Sequence, residues 1–339
     1  MPAEWEGTDA HAVLLSWPHA ATDWADMLSE VDACYVAMAE AIAQDNQLII
    51  ITPEPDRVAS LLHLDKEPIY VRVPTNDTWI RDYGPLTVVD AEGARLLDFG
   101  FNGWGLKFAA DKDNLVNTHL NKKGVFNVEI ENRRRFVLEG GSIESDGKGT
   151  ILTTSRCLLS PNRNSPMSRD QIESLLKDEL GAERVFFLDH GALEGDDTDS
   201  HIDTLARFAP NDTILYVATN DCNDTAHYGG LFAMERELKA LRTADGEPYR
   251  LLALPHPEAI YHDGERLPAT YANFLVTPRS VIMPTYGQPR NDDRAAKVIS
   301  YAFPGKRLLR VDCLPLIRQH GSLHCSTMQI PIDLVNAPL

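Results

Sequence analysis

One order of elements returns along the chain, and it limits the folds open to it. Residues 85–98 read as a strand, an Asp-Ala-Glu-Gly turn and a second strand. A helical stretch at 113–120 and a strand at 125–130 follow. The order returns over 136–154, with Asp146-Gly147 in the turn, then a helix from Ser168 and a strand at 185–188. Ser168-Arg169-Asp170-Gln171 supplies a capping box, and Ile172, Leu175, Leu176 and Leu180 keep helical spacing. A third copy spans 202–217, turning at Pro210-Asn211-Asp212, with helix 231–241 and strand 250–254. A fourth spans 271–283, turning at 277–280, with helix 293–302 and strand 307–311. What remains is 321–330 near one end and 12–17 near the other. After these come a helix carrying Trp24, Met27, Leu28, Val31, Tyr35, Met38 and Ile42, and a strand at 48–51. Pairing the C-terminal strand with the first N-terminal one completes a fifth copy. The chain therefore reads as five β-β-α-β units of roughly 50–70 residues, closed through its two ends into one α/β domain, 1–339. An ordinary mixed α/β domain is the alternative.

Composition narrows the function classes. At 339 residues and 43% hydrophobic, the chain has ample material for a core. Its apolar runs, such as those at 48–51 and 185–188, fall far short of the roughly 18 residues that span a bilayer. The start, Met1-Pro2-Ala3-Glu4-Trp5-Glu6, has neither a basic nor an apolar leader segment, so no membrane or secretory role is expected. A net charge of −18 repels nucleic acid and favours cations. Five widely spaced cysteines (Cys34, Cys157, Cys222, Cys313 and Cys325) fit neither a disulfide framework nor a zinc finger; a reducing cytoplasm is expected.

Polar residues unusual for strands recur at corresponding places in the units: Asp82, Glu139, His201 with Asp203, Asn273, and His324 with Cys325. In a ring of repeats these places converge on the axis. His201-Ile202-Asp203, read as strand, projects His and Asp from one face, an acid/base pair. The competing reading is a strand-end His with a solvated Asp. The run Asp196, Asp197, Asp199, His201, Asp203 also has the character of a ligand set. Cys325 lies among small residues at the start of a short strand, exposed to a cavity or else buried and inert. His324, on the opposite strand face, reads as structural. In residues 76–85, Asp82 binds a cation or an Arg of the fold, with Trp79 as an apolar wall. Glu139 precedes Gly140-Gly141, where backbone approaches a ligand closely or bulges. Phe101-Asn102-Gly103-Trp104-Gly105 is a candidate lid or an ordinary loop.

These motifs, in this order, resemble the agmatine deiminase and bacterial-type peptidylarginine deiminase family. The resemblance runs from Met-Pro-Ala-Glu-Trp-Glu at 1–6 and Ser16-Trp17-Pro18-His19 through Trp79-Ile80-Arg81-Asp82-Tyr83-Gly84-Pro85, Phe101–Gly105, Glu139-Gly140-Gly141-Ser142-Ile143 and Asp199-Ser200-His201-Ile202-Asp203 to His324-Cys325. It implies the pentein fold, a five-bladed pseudosymmetric α/β propeller. It implies Cys325 as nucleophile, His201 as general acid/base, Asp82 and Asp203 as the carboxylates on the guanidinium, and Glu139 as a further acid. Asn273, which aligns with an Asn near the site, is expected with Trp79 and Trp104 to contact the substrate. The implied reaction is hydrolytic deimination through an S-alkylthiouronium intermediate, with no metal or organic cofactor.

Two departures bear on the tail of the substrate. The approach to the nucleophile is His320-Gly321-Ser322-Leu323-His324-Cys325 instead of Gly-Gly-Gly-Asn-Ile-His-Cys, with Met328-Gln329 after it. His-Ile-Asp-Thr replaces His-Val-Asp-Asn. Agmatine is the expected substrate, with peptidylarginine or another guanidino compound as runner-up. A metal-dependent hydrolase and a non-catalytic polyamine-binding protein are the readings from other classes. The expected partner is a small cationic guanidino compound; oligomeric state is open.

Overall fold

Strand-forming runs of Val, Ile and Leu punctuated by short turns build five sheets of one plan in the computed structural model, which describes residues 1–5 and 10–336. Glu6 of the N-terminal motif lies outside the described residues. In the first unit Leu86–Asp90 pairs antiparallel with Gly93–Gly100; the chain crosses through helix Val116–Lys122, and Ile130–Val137 returns parallel to Gly93–Gly100. Ile143–Ser145, Thr150–Thr154, helix Arg169–Leu180 and Arg184–Leu188 repeat the plan. So do Ala206–Ala209, Thr213–Ala218, helix Tyr228–Ala240 and Arg250–Pro255. Leu275–Val276, Ser280–Thr285, helix Pro289–Ala302 and Arg307–Asp312 make the fourth.

The fifth unit joins distant parts of the chain, as expected. Thr327–Pro331 pairs antiparallel with His11–Ser16, from Leu15 against Thr327 to His11 against Pro331. Helix Leu28–Ala43 then leads to Gln47–Thr52, parallel to His11–Ser16, and Ile69–Arg72 adds a fourth strand. Both His11–Ser16 and Gln47–Thr52 are buried throughout, as strands covered on both faces must be. Truncating Ile50 at the centre of this layer, wholly buried, removes packing worth about 2–5 kcal/mol.

Two boundaries differ from the sequence reading. The strand expected at 125–130 runs Ile130–Val137 instead. Gly124, at φ +63°, turns the chain after the helix, and Phe126 is taken up by a bridge to Val335. The second hairpin begins at Ile143, not near 136, because Gly140–Ser142 forms a 3-10 turn. The capping box at Ser168 is present, and Gly181, at φ +66°, ends that helix.

The recurring polar residues do not lie on strands. Asp82 is in the short helix Ile80–Tyr83, Glu139 precedes the Gly140–Ser142 turn, His201 caps the 3-10 turn Ile202–Thr204, and Cys325 is in a turn. The alternation argument for His201 and Asp203 therefore fails, and the correspondence of place holds. Each of these residues, and Asn273, sits just ahead of the first strand of its unit. Side chains that bond local backbone favour such turns over ladders. The segments also bond across units: the Arg81 N–H donates to Cys325 O at 3.1 Å, and the His324 N–H to Asn273 O at 3.2 Å. No helix among the described residues is long and apolar enough to cross a membrane.

Candidate active site

The turn that carries Cys325 is set by its neighbours. Gly321 is pressed onto Trp79: a Cβ there would lie 2.3 Å from the ring. Asn273 Oδ1 accepts from the backbone N–H of both His324, at 2.9 Å, and Cys325, at 3.2 Å. Its Nδ2 donates to Asp203 Oδ2 at 3.2 Å. Asn273 is wholly buried, so it braces the thiol turn and Asp203, where the resemblance had placed a substrate contact. Cys325 Sγ lies 3.8 Å from Asp203 Oδ2. Burial, then the negative charges of Asp203 and Asp82, hold this thiol well above its ordinary pKa, so it rests protonated.

Gly141 marks the point where three other side chains meet. A Cβ on it would stand 2.8 Å from Asp82 Oδ1, 2.8 Å from His201 Nδ1 and 3.1 Å from Asp203 Oδ2. Its own N–H donates to Asp82 Oδ1 at 3.0 Å. Asp82 Oδ2 accepts from Trp104 Nε1 at 2.9 Å. Burial raises Asp82 to about 6, against the pull of His201, and Asp203 adds to the rise. Burial opposes ionised Asp203 too, yet the hydrogen bond and charge of His324, with His201, bring its pKa below the usual range. Burial likewise disfavours charged His201. The anionic Asp82, contact with Cys157 and the charge of Glu139 outweigh it and lift the imidazole to about 10. His201 Nδ1 is 3.5 Å from Asp82 Oδ1. Both His201 ring nitrogens and Asp203 Oδ1 are buried without a hydrogen-bond partner. Leaving a buried acceptor unpaired costs about 1–3 kcal/mol, and such an atom is placed to receive a donor.

Glu139, expected as a further acid of the site, lies beside His201 and is paired with Arg163. Arg163 Nε donates to both its oxygens, at 2.8 and 3.0 Å. Cys157, Glu139 and His201 offer ligand atoms within 4.8 Å of one another, but the Arg163 cation across Glu139 opposes a metal ion there. Arg163 also donates to Asp199 Oδ2, at 2.6 Å, and to Thr198 O, at 2.9 Å. The acidic run that resembles a ligand set is divided among separate tasks: Asp197 lines the cleft, and His201 and Asp203 face Gly141. Asp196 accepts from Thr198 Oγ1 and the Ser200 N–H, and Asp199 also pairs with Lys107 at 2.8 Å. Arg163 and Cys157 were not singled out in the sequence; their only signal was proximity in the chain to the Glu139 unit.

A cleft of about 590 Å³, partly open to solvent, leads to Cys325. Trp79, Trp104 and Phe108 form its apolar walls, as expected of the two tryptophans. Asp23, Asp77, Asp82 and Asp197 line it, and among the described residues no Lys or Arg does. Arg81 turns to the far side, toward Glu4 and Gln329. It does so from the short helix Ile80–Tyr83.

The family model for Porphyromonas-type peptidyl-arginine deiminase matches residues 1–331. A Porphyromonas gingivalis protein provisionally named an arginine deiminase is 49% identical, with a TM-score of 0.93 over 98% of each chain. The agmatine deiminase of C. jejuni, solved as a cysteine-to-serine variant with substrate bound, is 38% identical, with a TM-score of 0.90 over 96% of this chain and 94% of its own. A Shewanella sp. (strain MR-4) protein provisionally named an agmatine deiminase is 33% identical over 98% of this chain and 94% of its own. An amidinotransferase from Microseira wollei, 14% identical with a TM-score of 0.54 over 100% of this chain and 97% of its own, shares the fold alone. With the motifs, the five-unit plan and the cluster around Gly141, these likenesses establish that the chain belongs to the Porphyromonas-type peptidyl-arginine deiminase family.

Proposed function

We propose that this protein hydrolyses a guanidino compound to a ureido compound and ammonia, and that agmatine, giving N-carbamoylputrescine, is the substrate. The observation that carries this is the meeting of Asp82, His201 and Asp203 around Gly141, beside Cys325, with Asp203 Oδ1 unpartnered. A planar guanidinium brings paired N–H donors that match carboxylates. Clasped by Asp203 and Asp82, it sets its central carbon over Cys325 Sγ. Its positive charge offsets the two anions that, with burial, keep the thiol protonated, so substrate binding itself favours the thiolate.

As the guanidinium binds, the thiol loses its proton to water; the thiolate attacks the carbon and forms a C–S bond while a C–N π bond opens onto nitrogen. His201, held as imidazolium by Asp82, gives its proton to the departing nitrogen, and ammonia leaves as the C–N bond breaks. His201, now neutral, takes a proton from water attacking the S-alkylthiouronium carbon. The C–S bond then breaks, the hydroxyl proton of the adduct passes to sulfur, and the thiol is restored as the ureido product leaves. Glu139 and Cys157 act on His201, not on substrate. Support comes from the serine variant of the C. jejuni relative, which was solved with substrate bound. In this reading the five units of a single catalytic domain stand around a common axis, a five-bladed arrangement in keeping with the convergence of their leading turns. The setting is the cytoplasm, and the chemistry calls on the chain's own residues and water.

The acidic cleft favours a tail ending in an ammonium. Peptidylarginine or free arginine is the second reading, favoured by the name of the 49% identical P. gingivalis relative. A screen of guanidino compounds for ammonia release, with the ureido product identified by mass, tests both. Cys325→Ser is expected to lower turnover by several orders of magnitude while the fold survives. Near-normal activity in that variant overturns the mechanism.

A further inference from the structure

Behind the thiol turn, on the side away from the cleft, lies a buried ion cluster joining four units and the N-terminal segment. Glu4 is its hub. Glu4 Oε1 accepts from His324 Nε2 at 2.7 Å and Gln329 Nε2 at 3.0 Å, and lies 3.2 Å from Arg81 Nη1. Glu4 Oε2 meets Arg207 Nη2 at 2.5 Å. Arg207 reaches on to Glu144 at 2.9 Å and to the carbonyls of Phe274 and Ala272. The other nitrogen of His324, Nδ1, lies 2.8 Å from Asp203 Oδ2, the oxygen that faces Cys325 Sγ.

His324 is thus a spacer between two carboxylates, one from the N-terminal segment and one from the site. Its two ring nitrogens each meet one of them, and Arg207 Nη2 also approaches Nε2, at 3.2 Å. Burial, then the charges of Arg207 and Arg81, lower the imidazole's pKa, against the pull of Glu4 and of the hydrogen bond to Asp203. The negative charge of Glu4 faces both guanidiniums. Removing the Glu4 charge leaves two buried guanidiniums pressing on His324, a costly imbalance at low dielectric.

We propose that Glu4 is a positioning residue of the reaction: its carboxylate holds His324 against Asp203, and so fixes both the carboxylate beside Cys325 and the turn that carries the thiol. This inference rests on the deiminase reading above. Glu4 is not among the residues lining the cleft, so its loss acts through Asp203 and the thiol turn and not through a contact with substrate. Glu4 also borders a second cavity, partly open to solvent and lined in part by Ala3, Arg81, Leu86 and Gln329, the route open to a small anion once the Glu4 side chain is removed.

The test compares E4Q, which keeps the shape, with E4A, which leaves a hole. In both, kcat is expected to fall at least about tenfold with KM within about threefold of wild type. Hydrogen–deuterium exchange over residues 321–327 is expected to quicken by about tenfold. Sodium formate restores the kcat of E4A several-fold, sodium chloride of equal ionic strength does not, and E4Q, whose site is filled, does not respond. An E4Q that melts, exchanges and turns over like wild type overturns the proposal. So does a rise in KM at constant kcat, or formate-independent loss in E4A. A wild-type protein that releases no ammonia from any guanidino compound overturns the deiminase reading alone; exchange at 321–327 and its reversal by formate then decide the role of Glu4.

Discussion

The indole of Trp104 donates to Asp82 Oδ2 at 2.9 Å from a loop whose four residues Gly103, Trp104, Gly105 and Leu106 all hold positive φ, at 70°, 55°, 84° and 67°. For Trp and Leu that conformation costs about 1–2 kcal/mol each. The loop is held by Asn102, which accepts from the Gly105 N–H and donates to Asn162 O. T-shaped contacts with Phe101 and Phe108 hold the ring.

The indole bond favours ionised Asp82, whose pKa burial has raised to about 6. Trp104→Phe removes a lowering influence, so the pKa rises further. The acid limb of the kcat/KM profile is expected to move to higher pH, with a fall of about tenfold at neutral pH, about 1.4 kcal/mol. A pH–rate series on both proteins checks it; an unmoved limb contradicts it.

Gly141→Ala pushes a methyl group between Asp82, His201 and Asp203, each within 3.1 Å of the new atom. These side chains are buried and have no free direction to yield. Activity is expected to fall at least about 100-fold, because misplacement by about 1 Å costs that much. Steady-state assay beside a melting curve separates this from unfolding.

Stability carries its own pH signature. His201 titrates at about 10 in the folded protein, above its ordinary value of 6.5. Its contribution is fully present below 6.5 and is lost as pH rises through 10. The melting temperature of the free enzyme is expected to decline across that window, and more shallowly in His201→Asn. Equal slopes in the two proteins would remove His201 as the cause.

The cleft sorts substrates by the far end of their tails. Burial raises Asp77 to about 6 and lifts Asp197 above its usual range, so both gain from a neighbouring cation. A carboxylate there meets Asp23, Asp77 and Asp197 and no Lys or Arg lining the cleft. Agmatine is expected to exceed free arginine in kcat/KM by at least about 100-fold, or about 2.7 kcal/mol. Parallel assays decide it; comparable values favour the arginine-type reading.

The order of units and the pairing of Thr327–Pro331 with His11–Ser16 were legible because strands and turns leave local marks. So were Asp82, His201, Asp203 and Cys325, as residue types out of place in their surroundings. Their local conformation was not, because a 3-10 turn such as Ile202–Thr204 carries no period that a two-residue alternation excludes. The partners of Glu139, Asn273 and Glu4 were hidden for another reason. Arg163 follows Glu139 within the same unit but in an irregular loop, His324 and Arg207 lie in other units than their partners, and only the packed fold says which group meets which.

The pairing of Thr327–Pro331 with His11–Ser16 also fixes an order of events during synthesis. His11–Ser16 is made more than 300 residues ahead of this partner. Cys325 arrives immediately ahead of Thr327–Pro331. Four units are already translated by then, and the same short segment that delivers the thiol closes the fifth sheet. Until it does, His11–Ser16 keeps an open edge, a template on which another chain can pair.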